Sequence, residues 1–262
     1  MRDYAPMETG LTAQKFGPPQ VSVAGDMGLL VGFGVRYDPV VNAAVLAFDR
    51  AFCRASPAGV IETVPTFCSL LVRFDPLVLP FSRLETQIEA LLAQEDWYAA
   101  PPESPARRWV LPTVYGGARG PDLGRVADLM GLREDQVIDG HSAVTLRVAM
   151  LGFSPGLAYL GQLPEVWGFA RKTRLSPEVP AGAVLVAVRQ TVLPATPIPT
   201  GWYMIGQTPF RAFQPRHKVP FLLAPGDELR FEPVAQSRFN AFDQATFLSG
   251  AKDGDVEGNS GG

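Results

Sequence analysis

The stretch Gly152-Phe153-Ser154-Pro155-Gly156-Leu157-Ala158-Tyr159-Leu160-Gly161 decides how the second half of this chain is read. It follows Leu146 to Leu151, an apolar run with the length of a buried strand. Glycine and proline then force the backbone to turn, while Phe153, Leu157, Tyr159 and Leu160 give the turn an apolar underside. Such a loop either packs as a tight β turn or lets a ligand approach backbone N–H groups. Outward from it, short strands alternate with turn signals: Trp109–Tyr115, Leu146–Leu151, Ala183–Val188, Trp202–Ile205, Phe221–Leu223 and Leu229–Val234. Many short strands with dense Gly/Pro punctuation predict a closed or nearly closed β-barrel.

Upstream the pattern changes. Leu29 to Phe33 reads as a strand, and from Pro39 the residues Val41, Ala44, Val45, Phe48 and Phe52 mark one face of a helix. Val60–Val64 and Ser69–Phe74 follow as strands. A capping box, Ser82 with Glu85, is expected to open a second helix with Leu84, Ile88, Leu91 and Leu92 on its apolar face. The order β-α-β-β-α suits a small α+β unit with both helices on one face of a sheet. Between the halves, Pro101, Pro102 and Pro105 among polar residues predict a stiff linker. The expected organisation is a disordered segment over 1–18, an α+β domain over 19–98, a Pro-rich linker over 99–107, a barrel over 108–245 and a flexible tail over 246–262.

The 262 residues include 26 glycines and 25 prolines, which favours strands and turns over long helices. A net charge of −3 without a basic stripe argues against a nucleic-acid surface. No apolar run reaches the length of a membrane span, and Met1 to Gln20 lacks the apolar core of a signal peptide. Cys53 and Cys68 are expected as reduced core thiols of a cytoplasmic protein, with a disulfide left open. Two cysteines and two histidines form no zinc pattern, so no tightly bound metal is expected.

Candidate chemistry gathers around the same loop. His141, just before the Leu146 strand, could transfer a proton, hydrogen-bond a carboxylate or simply be structural. His217 lies in a polar loop and is expected to be solvated. Arg171, Lys172 and Arg174 form either a solvated charge run or a site for carboxylate or phosphate. Gln190 and Thr191 are neutral hydrogen-bonding groups suited to an amide. Phosphate-loop, dinucleotide-binding, nucleophile-elbow and zinc-protease patterns do not occur.

Taken in order, these pieces resemble a known family: the B subunit of 5-oxoprolinase, also called allophanate hydrolase subunit 1, which includes a bacterial sporulation-kinase inhibitor. The residues that carry it are Gly25-Asp26, Val64-Pro65-Thr66, Tyr115-Gly116-Gly117, Gly120-Pro121-Asp122-Leu123, His141 and Gly152-Phe153-Ser154-Pro155-Gly156. Further on come Arg171, Val179-Pro180-Ala181-Gly182, Gln190-Thr191, Gly201-Trp202 and Pro225-Gly226-Asp227. The resemblance implies a small N-terminal α/β sandwich domain followed by a cyclophilin-like β-barrel. It also implies a role as the B subunit of an ATP-dependent complex that opens 5-oxoproline to glutamate, together with a homologous C subunit and an A subunit. ATP would be shared with those partners. On this reading His141, Arg171 and Gln190 are the catalytic candidates, and Ser154, Pro155, Gly156, Tyr159 and Thr191 contact a small amide or lactam, all converging on one site. Two alternatives accompany it: a divergent allophanate hydrolase or urea carboxylase-type subunit that works on another amide, and a protein that binds and inhibits a histidine kinase. The chain departs from the family pattern at Leu175-Ser176, where a Pro-Arg pair is usual, and at Val188-Arg189, where Gly-Gly is usual. It departs again at Val192, which stands in place of Gly.

Overall fold

A computed structural model describes residues 15–55, 57–99, 107–249 and 255–256. The chain divides into two compact units between Ser104 and Pro105. The linker expected over 99–107 falls almost wholly outside the described residues, as does most of the segment 1–18.

The first unit is a four-stranded antiparallel sheet in the order β1-β2-β4-β3. Its strands are β1 (Gln20–Val23), β2 (Gly28–Gly32), β3 (Val60–Pro65) and β4 (Ser69–Phe74); its helices are α1 (Pro39–Ala55) and α2 (Phe81–Leu92). Alternation puts Leu29 and Val31 of β2, and Leu70, Val72 and Phe74 of β4, on the buried face. There they meet Val41, Val45, Phe48 and Phe52 of α1 and Leu84 and Ile88 of α2 in one core. β1 is an addition to the expected order; it is a mostly exposed edge strand of 4 residues, too short for the alternation of Val21 and Val23 to mark it. The expected capping box is absent: Pro80 stands at the N-cap of α2, and Ser82 falls inside the first turn, where its carbonyl accepts the Thr86 hydroxyl. Both cysteines are free thiols; Cys53 is exposed instead of in the core, while Cys68 is half-buried against the core. Phe16 stacks on Tyr98 at 5.4 Å, which brings the ordered chain inside the segment expected to be disordered.

The second unit is a closed barrel of seven strands. β5 (Arg108–Tyr115), β6 (Leu146–Leu151), β7 (Ala158–Gly161), β9 (Ala183–Ala187), β10 (Gln190–Leu193), β12 (Tyr203–Gln207) and β13 (Glu228–Pro233) pair in the order β12-β9-β10-β7-β6-β13-β5. Pairing of β12 with β5 closes the ring. Every pair in the ring is antiparallel except β13 with β5. A ribbon of β8 (Ser176–Val179) and β11 (Ile198–Thr200) lies outside it. Helices α3 (Leu123–Met130) and α4 (Glu134–Ser142) come from the β5–β6 connection, and α3 ends at Gly131 in the left-handed conformation.

Interior positions alternate along each strand: Trp109 and Leu111, Leu146 and Val148, Ala158 and Leu160, Val184 and Val186, Leu229 and Phe231. The opposite face of β9, β10 and β12 carries a second cluster with Leu185, Val192, Trp202 and Met204. Strands β7 and β10 are additions to the expected set, because four residues buried on both faces show no apolar alternation. The strand expected over Phe221–Leu223 reduces to a single bridge, Phe213 to Phe221. Helix α4 runs through Gly140 to Ser142. Two short helices, α5 (Gln236–Asn240) and α6 (Gln244–Ser249), follow the barrel, and β14 (Asp255–Val256) pairs with the start of β5. Phe247 is buried in the barrel core, so the expected start of a flexible tail at 246 is too early.

Candidate functional site

The residues singled out from the sequence fall into three places. The first is inside the barrel. His141, in the last turn of α4, is wholly buried, with Phe231 and Trp167 ring centroids 5.0 and 5.6 Å from its own. Its Nδ1 lies 2.8 Å from the Tyr115 hydroxyl and its Nε2 2.9 Å from Thr191 Oγ1. In a neutral imidazole one nitrogen donates and the other accepts, and two hydroxyls satisfy either tautomer. Burial drives its pKa from the ordinary 6.5 down to about 3, and burial also pushes the Tyr115 phenol up. The ring is therefore a neutral strut across the barrel, out of reach of solvent protons. Tyr115, half of that strut, shows in the sequence only as part of a Tyr-Gly-Gly motif.

The second place is the outer face of the same wall. Gln190 precedes Thr191 on β10, so the pleat sends its side chain the other way, to the side of Val192 and its cross-strand partner Tyr159. Tyr159 lies edge-on to Trp202, ring centroids 6.4 Å apart, and the Arg171 guanidinium carbon sits 4.9 Å from the Trp202 ring. Burial raises the Tyr159 phenol pKa, and the Arg171 charge pulls part of that back. Arg171 is exposed and its neighbour is anchored. The Lys172 ammonium is 2.8 Å from both Asp122 Oδ2 and Ser176 Oγ, and Asp122 Oδ2 also accepts the Met204 N–H. Arg171 thus presents an outward-facing cation from a pinned segment.

The third place is the β6–β7 turn. Ser154 N–H bonds to the Gly152 carbonyl at 2.9 Å around Phe153, whose φ is 69°. That is a γ-turn of the rare positive-φ form. Leu157 N–H then bonds to the Ser154 carbonyl at 3.1 Å, with Pro155 and Gly156 (φ 73°) between them. Pro followed by a positive-φ Gly is the type II pattern. A Cβ on Gly156 would stand 3.0 Å from that of Ala195 and 3.2 Å from that of Phe213. Leu151, Gly152, Ser154, Pro155, Gly156 and Phe221 line a cavity of about 250 Å³. The Ser154 hydroxyl oxygen is buried and has no hydrogen-bond partner. A buried polar atom in that condition is open to a water molecule or a ligand group.

The expected convergence of His141, Ser154–Gly156, Arg171 and Gln190 on one site does not occur. The barrel wall separates His141 and Thr191 from Tyr159, Gln190 and Arg171, and the 152–156 turn is at the β6–β7 end. Val192, which replaces the family's glycine, is buried in the outer cluster. Val188 and Arg189 form the two-residue turn between β9 and β10 at φ 45° and 64°, the left-handed region that their family glycines favour. Among the described residues no group of three or more His, Cys, Asp or Glu side chains is placed to hold a metal ion, and no helix is long and apolar enough to cross a membrane.

Residues 19–223 match the family described as carboxyltransferase domain, subdomain C and D, and the chain belongs to it. Among characterised relatives, a Bacillus subtilis protein named as the B subunit of 5-oxoprolinase is 34% identical over 236 residues, 85% of this chain and 96% of that protein. One of the same name from Escherichia coli O157:H7 is 41% identical over 176 residues, 67% of this chain and 78% of that protein. Among solved structures, TTHA0988 superposes with a TM-score of 0.69 at 33% identity over 79% of this chain, which spans only 40% of that protein. The urea amidolyase of K. lactis shares the fold, with a TM-score of 0.67 at 16% identity over 85% of this chain and 15% of that one.

Proposed function

We propose that the chain is the B subunit of an ATP-dependent 5-oxoprolinase, which opens 5-oxo-L-proline to L-glutamate together with a homologous C subunit and an A subunit. The observation that carries this is the correspondence with the Bacillus subtilis relative along nearly the whole of that protein. In the reaction the lactam C–N bond breaks, water supplies the new carboxylate oxygen, and ATP hydrolysis, shared across the complex, drives the opening. A cytoplasmic location goes with that role.

The turn cavity is this chain's half of the substrate site. Ser154 Oγ would donate to or accept from the amide, and the backbone around Gly156 allows a ligand close approach. Arg171, with Tyr159 and Gln190 on the same outer face, is the group suited to a carboxylate or phosphate. His141 and Thr191 hold the wall between the two and touch neither ligand.

The single chain should fold and lack 5-oxoprolinase activity, because it carries only one side of the site. The check is to assay ATP-dependent glutamate formation by the chain alone, then by the chain reconstituted with its two partner proteins. Turnover only in the complex supports the assignment. Turnover by the chain alone, or none from a properly assembled complex, overturns it. In the active complex, Ser154→Ala and Arg171→Ala should each lower turnover at least tenfold, equivalent to about 1.4 kcal/mol.

A further inference from the structure

The β6–β7 turn presents more than a cavity. Phe153 is 75% exposed although it is a large aromatic residue. Its φ of 69° lies in the left-handed region, which strains the backbone of an aromatic residue. A folded chain gains nothing by straining its backbone to point a phenylalanine into water. Beside it, Phe221 is 43% and Val219 53% exposed, and Phe213 stacks on Phe221 with centroids 4.9 Å apart. The two patches are continuous, since Gly156 packs on Phe213 and Phe221 and the cavity is walled by both the turn and Phe221.

This apolar rim has a charged border of one sign. Phe213 and Phe221 form the base of a hairpin closed by the Gln214 N–H to Pro220 carbonyl bond, with Arg216, His217 and Lys218 exposed at its tip. The sequence from Pro209 to Gly226 holds no carboxylate, and the turn from Gly152 to Pro164 holds no charge at all. In a chain with net charge −3, this end of the barrel is locally basic.

We infer that Phe153, Val219 and Phe221, bordered by Arg216 and Lys218, are the docking surface for the homologous partner in the complex, which meets it with an apolar side chain set among carboxylates. The aromatic rim supplies the desolvated anchor, where a few aromatic residues carry most of the binding energy. The basic tip steers an acidic face into register. Docking there would cover the turn cavity and close the substrate half-site that holds Ser154. The inference rests on the proposed function only for the identity of the partner.

The experiment uses calorimetry to measure how the full-length chain binds the purified homologous partner, at about 50 and 300 mM salt. Three proteins are compared: wild type, Phe153→Gly, and the pair Arg216→Glu with Lys218→Glu. Glycine accepts φ 69° without strain, so Phe153→Gly should melt no lower than wild type while binding at least tenfold more weakly. The charge-reversed pair, wholly on the surface, should lose at least tenfold at low salt and less at high salt, where screening shortens the reach of the field. Wild-type affinity in both variants overturns the surface while leaving the proposed function intact, provided that wild type binds and the complex turns over. Failure of the wild-type chain to bind the partner overturns the functional assignment and this surface with it. Two further controls have decisive outcomes. Phe153-dependent binding to phosphatidylserine vesicles would make the patch a membrane surface instead. A wild-type dimer that Phe153→Gly dissolves would make it a self-association face.

Discussion

Gln190 and Thr191 are neighbours in sequence and belong to opposite sides of the barrel. Thr191 points inward to the imidazole of His141, in an apolar surround that holds the histidine neutral. Gln190 points to the outer face, where Arg171 keeps a permanent charge against the Trp202 ring. The interior uses polar groups to tie strands to α4; the exterior carries an exposed cation beside an aromatic ring. Adjacent residue types that look alike on paper therefore carry different kinds of work, and the pleat of a single strand divides them.

The largest way to test that division is His141→Ala. It empties part of the interior and leaves the Tyr115 and Thr191 hydroxyls unpaired, so a loss of about 3–5 kcal/mol in unfolding free energy is expected. Chemical denaturation measures it, and a loss below about 1 kcal/mol would mean that the strut is not structural. Acid tests the same ring. Its folded pKa of about 3 lies below the ordinary 6.5, so between those values the unfolded chain binds a proton that the native one refuses. This contribution is fully present above pH 6.5 and declines as pH falls toward 3, by roughly 1.4 kcal/mol per pH unit. His141→Gln, which cannot titrate, should lack that slope, whereas Arg171→Ala should retain it.

Smaller effects probe the turn that sets the register of β10 and the outer face itself. Val188 is β-branched at φ 45°, where such residues are outliers. Its amide is held by the Phe169 carbonyl, and the Arg189 amide by that of Trp167. Val188→Gly should keep those bonds and release the strain, raising stability by about 1 kcal/mol in the same denaturation assay. A decrease would show that the side chain contributes more than the strain costs. Arg171→Ala should change stability by no more than about 0.5 kcal/mol, as an exposed site away from caps and core. A larger loss would make the outer face as structural as the inner one.

Much of the fold is legible without the structure. The α1 and β4 patterns name their buried faces residue by residue, because a helix or strand with one face in the core writes its period into the sequence. Gly131 stops α3, and the family's missing glycines at 188 and 189 point to left-handed backbone. What escapes such a reading has a common cause. Strands β7 and β10, buried on both sides, have no polar phase to show, and β1, an exposed edge of 4 residues, is too short for Val21 and Val23 to read as a period. Gly140 suggests a helix end because glycine lowers helix propensity, yet α4 continues through it to deliver His141 to the core.

The sequence by itself determined the two-unit organisation, the family, the Gly-rich turn and the set of residues worth suspecting, since those depend on local pattern and residue order. Only the tertiary structure decided which suspects share a space. Ring closure by β12 and β5 creates an inside and an outside that no one-dimensional spacing encodes, and it puts His141 and Arg171 on opposite sides of a wall. The same closure leaves Phe153 and Phe221, 68 positions apart, beside one open cavity. Strand pairing is a contact between distant segments, and its geometry exists only once the chain has folded.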